Sequence, residues 1–336
     1  MDGLSGIEGL GLLAGRPFRG DELKKFLRAA RVHVLSQTVG QVGNGHDRFQ
    51  FAVDMIAQAD RFIAAHSDLL MKIGSVADAH LARSSGKLGI IYNFQDTVQL
   101  EGDVSRTKMF KTLGVRIQQL TYNKRNLAGD GCLEPSNAGI THFGREVIAA
   151  VNENQMLLDL SHAGQRTAAE AIAESKAPPA ITHTGCRDLV DLPRNTFDRE
   201  LRAIAEKGGV IGIYLMPFLR REGQPRPEDL LRHLNHAVNV AGEDHVGIGT
   251  DGTVLDDPID DEARRLQRQF FEDRAKKGIA APGEAADVLN LVEGYNHADR
   301  YERIASDLRR EGWSSARIEK VLGGNFFRLY CAVWGS

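Results

Sequence analysis

Seven short apolar runs recur along the chain, each separated from the next by a stretch with helix signals, and this alternation limits the fold more than any other feature. The runs are VHVLSQTV (32–39), LGIIYNFQ (88–95), GVRIQQLTY (114–122), QMLLDLSH (155–162), PAITHTG (179–185), GGVIGIYLMP (208–217) and HVGIGTDG (245–252). Between them, Asp198 is placed to cap RELRAIAEKGG, which closes at Gly208 and Gly209. In RPEDLLRHLNHAVNVAG, Pro227 suits a first helical turn and Leu230, Leu231, Leu234, Ala237, Val238 and Ala241 form a helical face ended by Gly242. His233 and His236 are read off that face, toward solvent.

Buried strands alternating with amphipathic helices argue for a parallel sheet, and seven or eight such units for an α/β fold of the closed (β/α)8 TIM barrel type. An open doubly wound sheet is the alternative. We expect one barrel domain over residues 1–336. MDGLSG, at 1–6, reads as the end of the remaining strand, its beginning missing or very short. Residues 253–290 read as a charged insertion containing a helix, either a solvated excursion or a lid or subunit contact.

Composition narrows the partners. With 336 residues, 42% hydrophobic and 26% charged, the chain can bury a large core. A net charge of -3 with scattered Lys and Arg gives no basic field, which argues against nucleic acid. No basic and apolar leader, bilayer-length apolar run or lipid signal is visible, so no membrane anchor is expected. Cys132, Cys186 and Cys331 are too dispersed for a disulfide framework or a CxxC zinc site, and a cytoplasmic location is expected.

In a barrel, functional groups belong at the C-terminal ends of the strands. Those ends offer Gln95, Tyr122, His162, His183 and Asp251, with Arg194 a little beyond His183. Two histidines at consecutive strand ends and an aspartate further on would converge on one cavity, and imidazole with carboxylate is a ligand set for Zn²⁺ or a similar ion. GIGTDG (247–252) matches GxGxxG literally, but Asp251 would set a carboxylate among amides meant for phosphate, so it is read as a strand end presenting Asp251. Cys186 reads as a packed thiol.

Taken together, LLDLSHAG, ITHTG with LPRN, GITHFGREV, HVGIGTDG and the terminal EGWSSARIEKVLGGNFFRLY resemble the membrane (renal) dipeptidase family over nearly the whole chain. The resemblance implies a metal-dependent peptidase on a (β/α)8 barrel, acting on a small-molecule substrate and often dimeric. It implies that His162 and His183 are metal ligands, that Arg194 holds the substrate carboxylate, and that Asp251 helps move protons at the scissile amide. Tyr122 stands where the family has a substrate-contacting histidine. The family's first motif, DGHxD, is replaced by DGLSG, so Leu4 and Gly6 occupy ligand positions that neither can fill. The bridging glutamate falls on Gln95 by its strand-end position; Glu101, in LEGD, lies beyond the strand.

A two-ion site is therefore not expected. One reading is a hydrolase with a single Zn²⁺ on His162, His183 and Asp251, with Gln95 as a weak further donor, since three protein ligands suffice for catalytic zinc. A second is a metal-free enzyme with a histidine base and Tyr122 as acid. A third is a non-catalytic barrel that binds a small carboxylate through Arg194.

Overall fold

The computed structural model describes residues 1–6, 20–43 and 45–335. Its strands are β1 (Ser5–Gly6), β2 (Val34–Thr38), β3 (Leu70–Lys72), β4 (Leu88–Phe94), β5 (Val115–Gln119), β6 (Leu157–Asp159), β7 (Ala180–Thr184), β8 (Val210–Ile213), β9 (Val246–Ile248) and β10 (Gly252–Thr253). All seven apolar runs contain a strand. The helices are α1 (Gly20–Ala30), α2 (Arg48–Ala65), α3 (Val76–Ser85), α4 (Arg106–Thr112), α5 (His142–Glu153), α6 (Gln165–Glu174), α7 (Asp198–Glu206), α8 (Pro227–Ala241), α9 (Asp261–Lys276), α10 (Arg300–Arg310), α11 (Ser315–Glu319) and α12 (Asn325–Trp334).

The main sheet is parallel throughout, in the order β2-β4-β5-β6-β7-β8-β9, with β3 on the first half of β4 and β5 on its second. Strands buried along their whole length, as β4 is, need cover on both faces, and the crossover helices supply it. The N-terminal residues close the curl. Asp2 N donates to Val34 O of β2 at 3.1 Å and Gly3 N to Ile248 O of β9 at 2.9 Å. The architecture is the expected TIM barrel, and the short first segment bridges its two edge strands.

Helix α12 plugs the N-terminal end. Phe326, Leu329, Tyr330 and Val333 pack against Val34, Leu157, Ala180 and Val210, each the first residue of its strand. A β-carbon at Gly3 would lie 2.4 Å from the Phe326 ring, and one at Gly247 2.6 Å, so both positions must stay bare. With that end filled by side chains, the opposite end carries the polar groups.

Two local readings are corrected. Asp198 is the first residue of α7 rather than its cap, and its carboxylate takes a hydrogen bond from His236 Nε2 at 2.7 Å. His233 is fully buried. Its Nδ1 accepts from Cys186 N at 2.9 Å and its Nε2 donates to Leu219 O at 3.0 Å, so it ties α8 to two loops. The insertion does carry a helix, α9, whose last turn reaches back over the barrel mouth.

Candidate metal and substrate site

His162 lies in the turn three residues after β6 and His183 within β7, while Asp251 follows β9. The chain places the three side chains together. One ligand atom from each lies within 4.8 Å of the others, the only such group of His, Cys, Asp or Glu among the described residues. Both Nε2 atoms are buried and have no hydrogen-bond partner.

Their tautomers follow from the other ring nitrogens. Asn123 Nδ2 donates to Ile279 O at 2.8 Å, which turns its amide oxygen toward His162 Nδ1 at 2.6 Å. An amide oxygen only accepts, so His162 Nδ1 carries the proton. Thr182 Oγ1 donates to Asp159 Oδ2 at 2.6 Å and so accepts from His183 Nδ1 at 2.9 Å. Each Nε2 is left with a bare lone pair in the cluster, the arrangement a metal-ligating histidine takes from its outer partners. Burial, and next the Arg194 guanidinium, holds both imidazoles well below the usual histidine range, hence neutral.

Asp251 is half-buried, and burial pushes its carboxyl up to about 6 against the opposing pull of Arg194 and Arg274. His162 (φ 60°) and Asp251 (φ 56°) both adopt the left-handed conformation that side-chain-bearing residues seldom take, a mark of strained functional positions. Two buried imidazole lone pairs with a carboxylate fit one divalent ion, whose bonds to such donors run about 2.0–2.2 Å.

The positions that the family resemblance gives to a second ion hold no imidazole or carboxylate. Leu4 presents a buried alkyl group, Gly6 has no side chain, and Gln95 donates its amide to Thr38 Oγ1 at 3.1 Å. Glu101 is exposed and engaged elsewhere, accepting from Phe49 N and pairing with Arg106.

Tyr122 stacks on His162, ring centres 4.1 Å apart, and its hydroxyl accepts from Arg274 Nη1 at 3.2 Å. Burial raises its phenol above the ordinary value. Arg274 comes from α9 and forms a two-pronged pair with Glu284 at 2.7 and 2.8 Å. Its Nη2 also donates to Ile279 O, the carbonyl that orients Asn123. Arg194, beyond β7, is buried, yet its Nη2 has no partner and no described carboxylate lies within 4.0 Å. The guanidinium faces the rings of Tyr214 and Phe218 at 5.6 and 5.7 Å. A small cavity of about 30 Å³ opens beside it, lined by His162, Cys132, Arg194 and Glu200 among others.

The strand-end rule did not find Asn123, Thr182, Asp159 or Arg274. The first three lie beside or just before the strand-end residues in LTYN, ITHT and LLDLSH, within hydrogen-bonding reach of the two histidines' surroundings. Arg274 leaves no such signal, because α9 reads only as charged.

A family model described as membrane dipeptidase (peptidase family M19) matches residues 24–261. The chain is 24% identical to dipeptidase tcpJ of Claviceps purpurea over 321 residues, covering 92% of this chain and 68% of the relative. It is 27% identical over 291 residues to an uncharacterized protein in the pqqA 5′ region of Klebsiella pneumoniae, covering 83% and 94%. Among solved structures, an amidohydrolase from Pseudomonas aeruginosa superposes with a TM-score of 0.84 at 31% identity, over 100% of this chain and 96% of that one. A Rhodobacter sphaeroides metallo peptidase liganded with a phosphinate mimic of L-Ala-D-Ala shares the fold, with a TM-score of 0.78 at 19% identity over 99% and 98%. The chain belongs to the membrane dipeptidase family, peptidase family M19, and is a hydrolase of the dipeptidase type.

Proposed function

We propose that the protein hydrolyses a small amide bearing a free carboxylate, a dipeptide or an N-acyl amino acid, with a single divalent ion on His162, His183 and Asp251. The observation that carries this reading is the pair of buried, unpartnered Nε2 lone pairs beside a carboxylate. A lone general base would need only one of them, and two neutral imidazoles aimed at one point are a ligand arrangement. When bound, a divalent ion supplies Lewis acidity and lowers the pKa of water.

The chain's own residues do the rest. Arg194, buried and with a free Nη2, takes the substrate carboxylate by charge-assisted hydrogen bonds, which fixes where the amide lies. Tyr122 accepts from Arg274, so its own proton points away to be given to the reacting amide. Its raised pKa keeps that proton in place at neutral pH. Asn123 and Thr182 hold the two imidazoles in the tautomer that leaves Nε2 bare.

The test is metal content at neutral pH, with turnover of a dipeptide and N-acyl amino acid panel before and after chelation. About one zinc per chain, lost in His162→Ala, and turnover that disappears with chelator and returns with zinc are expected. Turnover that survives exhaustive chelation would refute the reading.

A further inference from the structure

The cavity beside His162 holds a second buried group that hydrolysis does not use. It runs from the residues after β6 to the loop between β7 and α7, and Arg194 and Glu200 line the same space. Glu200 lies in the first turn of α7 with its side chain only 3% exposed. Arg199 Nε donates to its Oε1 at 2.5 Å, whereas its Oε2 is buried and has no hydrogen-bond partner. Leaving a buried carboxylate oxygen unpaired is costly, so such an atom on a residue that lines a cavity marks a place where a donor belongs.

The other charges in the wall are committed. Arg187 pairs with Asp191 at 2.7 Å and lies over the Phe197 ring at 4.4 Å. Arg194 Nη2 and Glu200 Oε2 are thus two buried, unpartnered groups of opposite sign on residues that line one cavity. A ligand satisfies both only if it carries an anion and a hydrogen-bond donor. On the proposed reading, Arg194 takes the α-carboxylate of the residue on the leaving side of the amide. The side chain of that residue is joined to the same carbon and projects into the same space.

We propose that Glu200 is a specificity-determining residue that selects a basic side chain, such as lysine or ornithine, on the carboxylate-bearing residue of the substrate. This rests on the reading of Arg194 as the carboxylate holder. The ammonium donates to Oε2 while Arg199 remains on Oε1, so the acid is fully paired only with ligand bound.

The test compares glycyl-lysine with glycyl-norleucine, side chains of similar length that differ in the terminal ammonium, in wild type and Glu200→Gln. We expect kcat/KM for the lysine peptide to exceed that for the norleucine peptide at least tenfold, mainly through KM. Glu200→Gln should reduce that ratio to about threefold or less with norleucine turnover kept, since a neutral donor–acceptor group replaces the charge. A readout independent of turnover is calorimetric binding of free lysine and free norleucine, the reaction's products, to the same proteins. Lysine should bind at least tenfold tighter to wild type and lose that margin in Glu200→Gln.

Equal constants for the two peptides, or a lysine margin that survives Glu200→Gln, would overturn the role of Glu200 while hydrolysis itself stands. Absence of turnover for every carboxylate-bearing amide, with amino acid binding unchanged by Arg194→Met, would instead remove the functional reading on which it rests.

Discussion

Replacing Thr182 by valine keeps nearly the same side-chain volume and removes one hydroxyl, and that hydroxyl decides the tautomer of His183. It donates to Asp159 Oδ2 at 2.6 Å and accepts from His183 Nδ1 at 2.9 Å, all in a buried setting. Losing a hydrogen bond to a charged acceptor costs about 1.5–3 kcal/mol, and a buried unpaired N–H about 1–3 kcal/mol more. The sum is centred near ~4 kcal/mol. With an unfolding entropy of about 2.1 cal/mol/K per residue over 336 residues, the slope is about 0.7 kcal/mol/K and the melting midpoint falls by about 6 °C. The imidazole can avoid part of this by moving its proton to Nε2, but then its lone pair no longer faces the cluster. Either way zinc affinity should fall about 10–100-fold, the usual effect of removing a ligand's outer partner. Competition against a chromophoric chelator, with calorimetric melting, measures both quantities. Thr182→Ser restores the hydroxyl and should bind zinc within about threefold of wild type, well inside that range. Wild-type zinc affinity in Thr182→Val, or equal losses in the serine and valine variants, would show that the hydroxyl does not orient the imidazole.

Arg194→Met removes the group proposed for the substrate carboxylate, and kcat/KM should drop roughly 10–150-fold, mostly through KM, as expected for about 1.5–3 kcal/mol of charge-assisted binding. A fall in kcat alone would contradict that role. Because Asp251 must be ionised to hold a cation and its carboxyl is pushed up to about 6, zinc affinity should decline as pH is lowered through about 6, measured by chelator competition. Without metal the sign for stability is the opposite: between 3.8 and about 6 the folded chain keeps a proton that the unfolded chain releases, so this group's contribution weakens as pH rises across that window. The triple change Leu4→His, Gly6→Asp and Gln95→Glu should raise bound zinc from one ion to two per chain by elemental analysis. One ion in the triple variant would show that the surrounding hydrogen bonds have diverged as well.

The barrel and three of its polar groups were legible because strands carry their chemistry at fixed ends. A run of apolar residues that terminates in a histidine says both where the backbone is and which way the chemistry faces. Strand β3 was not legible, since LMK is too short to stand out beside the helix before it. His233 is buried although the sequence reading places it toward solvent, because the buried arc of α8 is wider than its apolar stripe. Position 233 lies three residues from Leu230 and four from Ala237, well within a buried arc that covers 100° or more. Asn123, Thr182 and Asp159 act by hydrogen-bond direction, which residue type alone does not specify. Arg274 is further from reach: its place beside Tyr122 depends on how α9 folds back over the mouth, and a charged helix gives no sign of that.

The first motif shows how Leu4 and Gly6 can stand at positions that the family resemblance gives to ligands while the rest of the site keeps its shape. Its structural half is intact. The Asp2 carboxylate accepts from Leu4 N at 3.1 Å, from Thr250 N at 2.9 Å and from Thr250 Oγ1 at 2.7 Å, and it also receives the Tyr301 hydroxyl. Gly3 leaves the room that Phe326 fills. Leu4 O accepts from Asp251 N at 2.9 Å, which steadies Asp251 in a left-handed conformation that costs about 1–3 kcal/mol. The side chains at positions 4 and 6 offer no donors, and none of these backbone contacts depends on them. A histidine-to-leucine change in that setting removes a ligand without moving Asp251, whose own approach to His162 and His183 is fixed by Asp2 and by the backbone of Leu4. The same segment, which on the proposed reading holds no ion of its own, therefore still positions the carboxylate proposed to hold one.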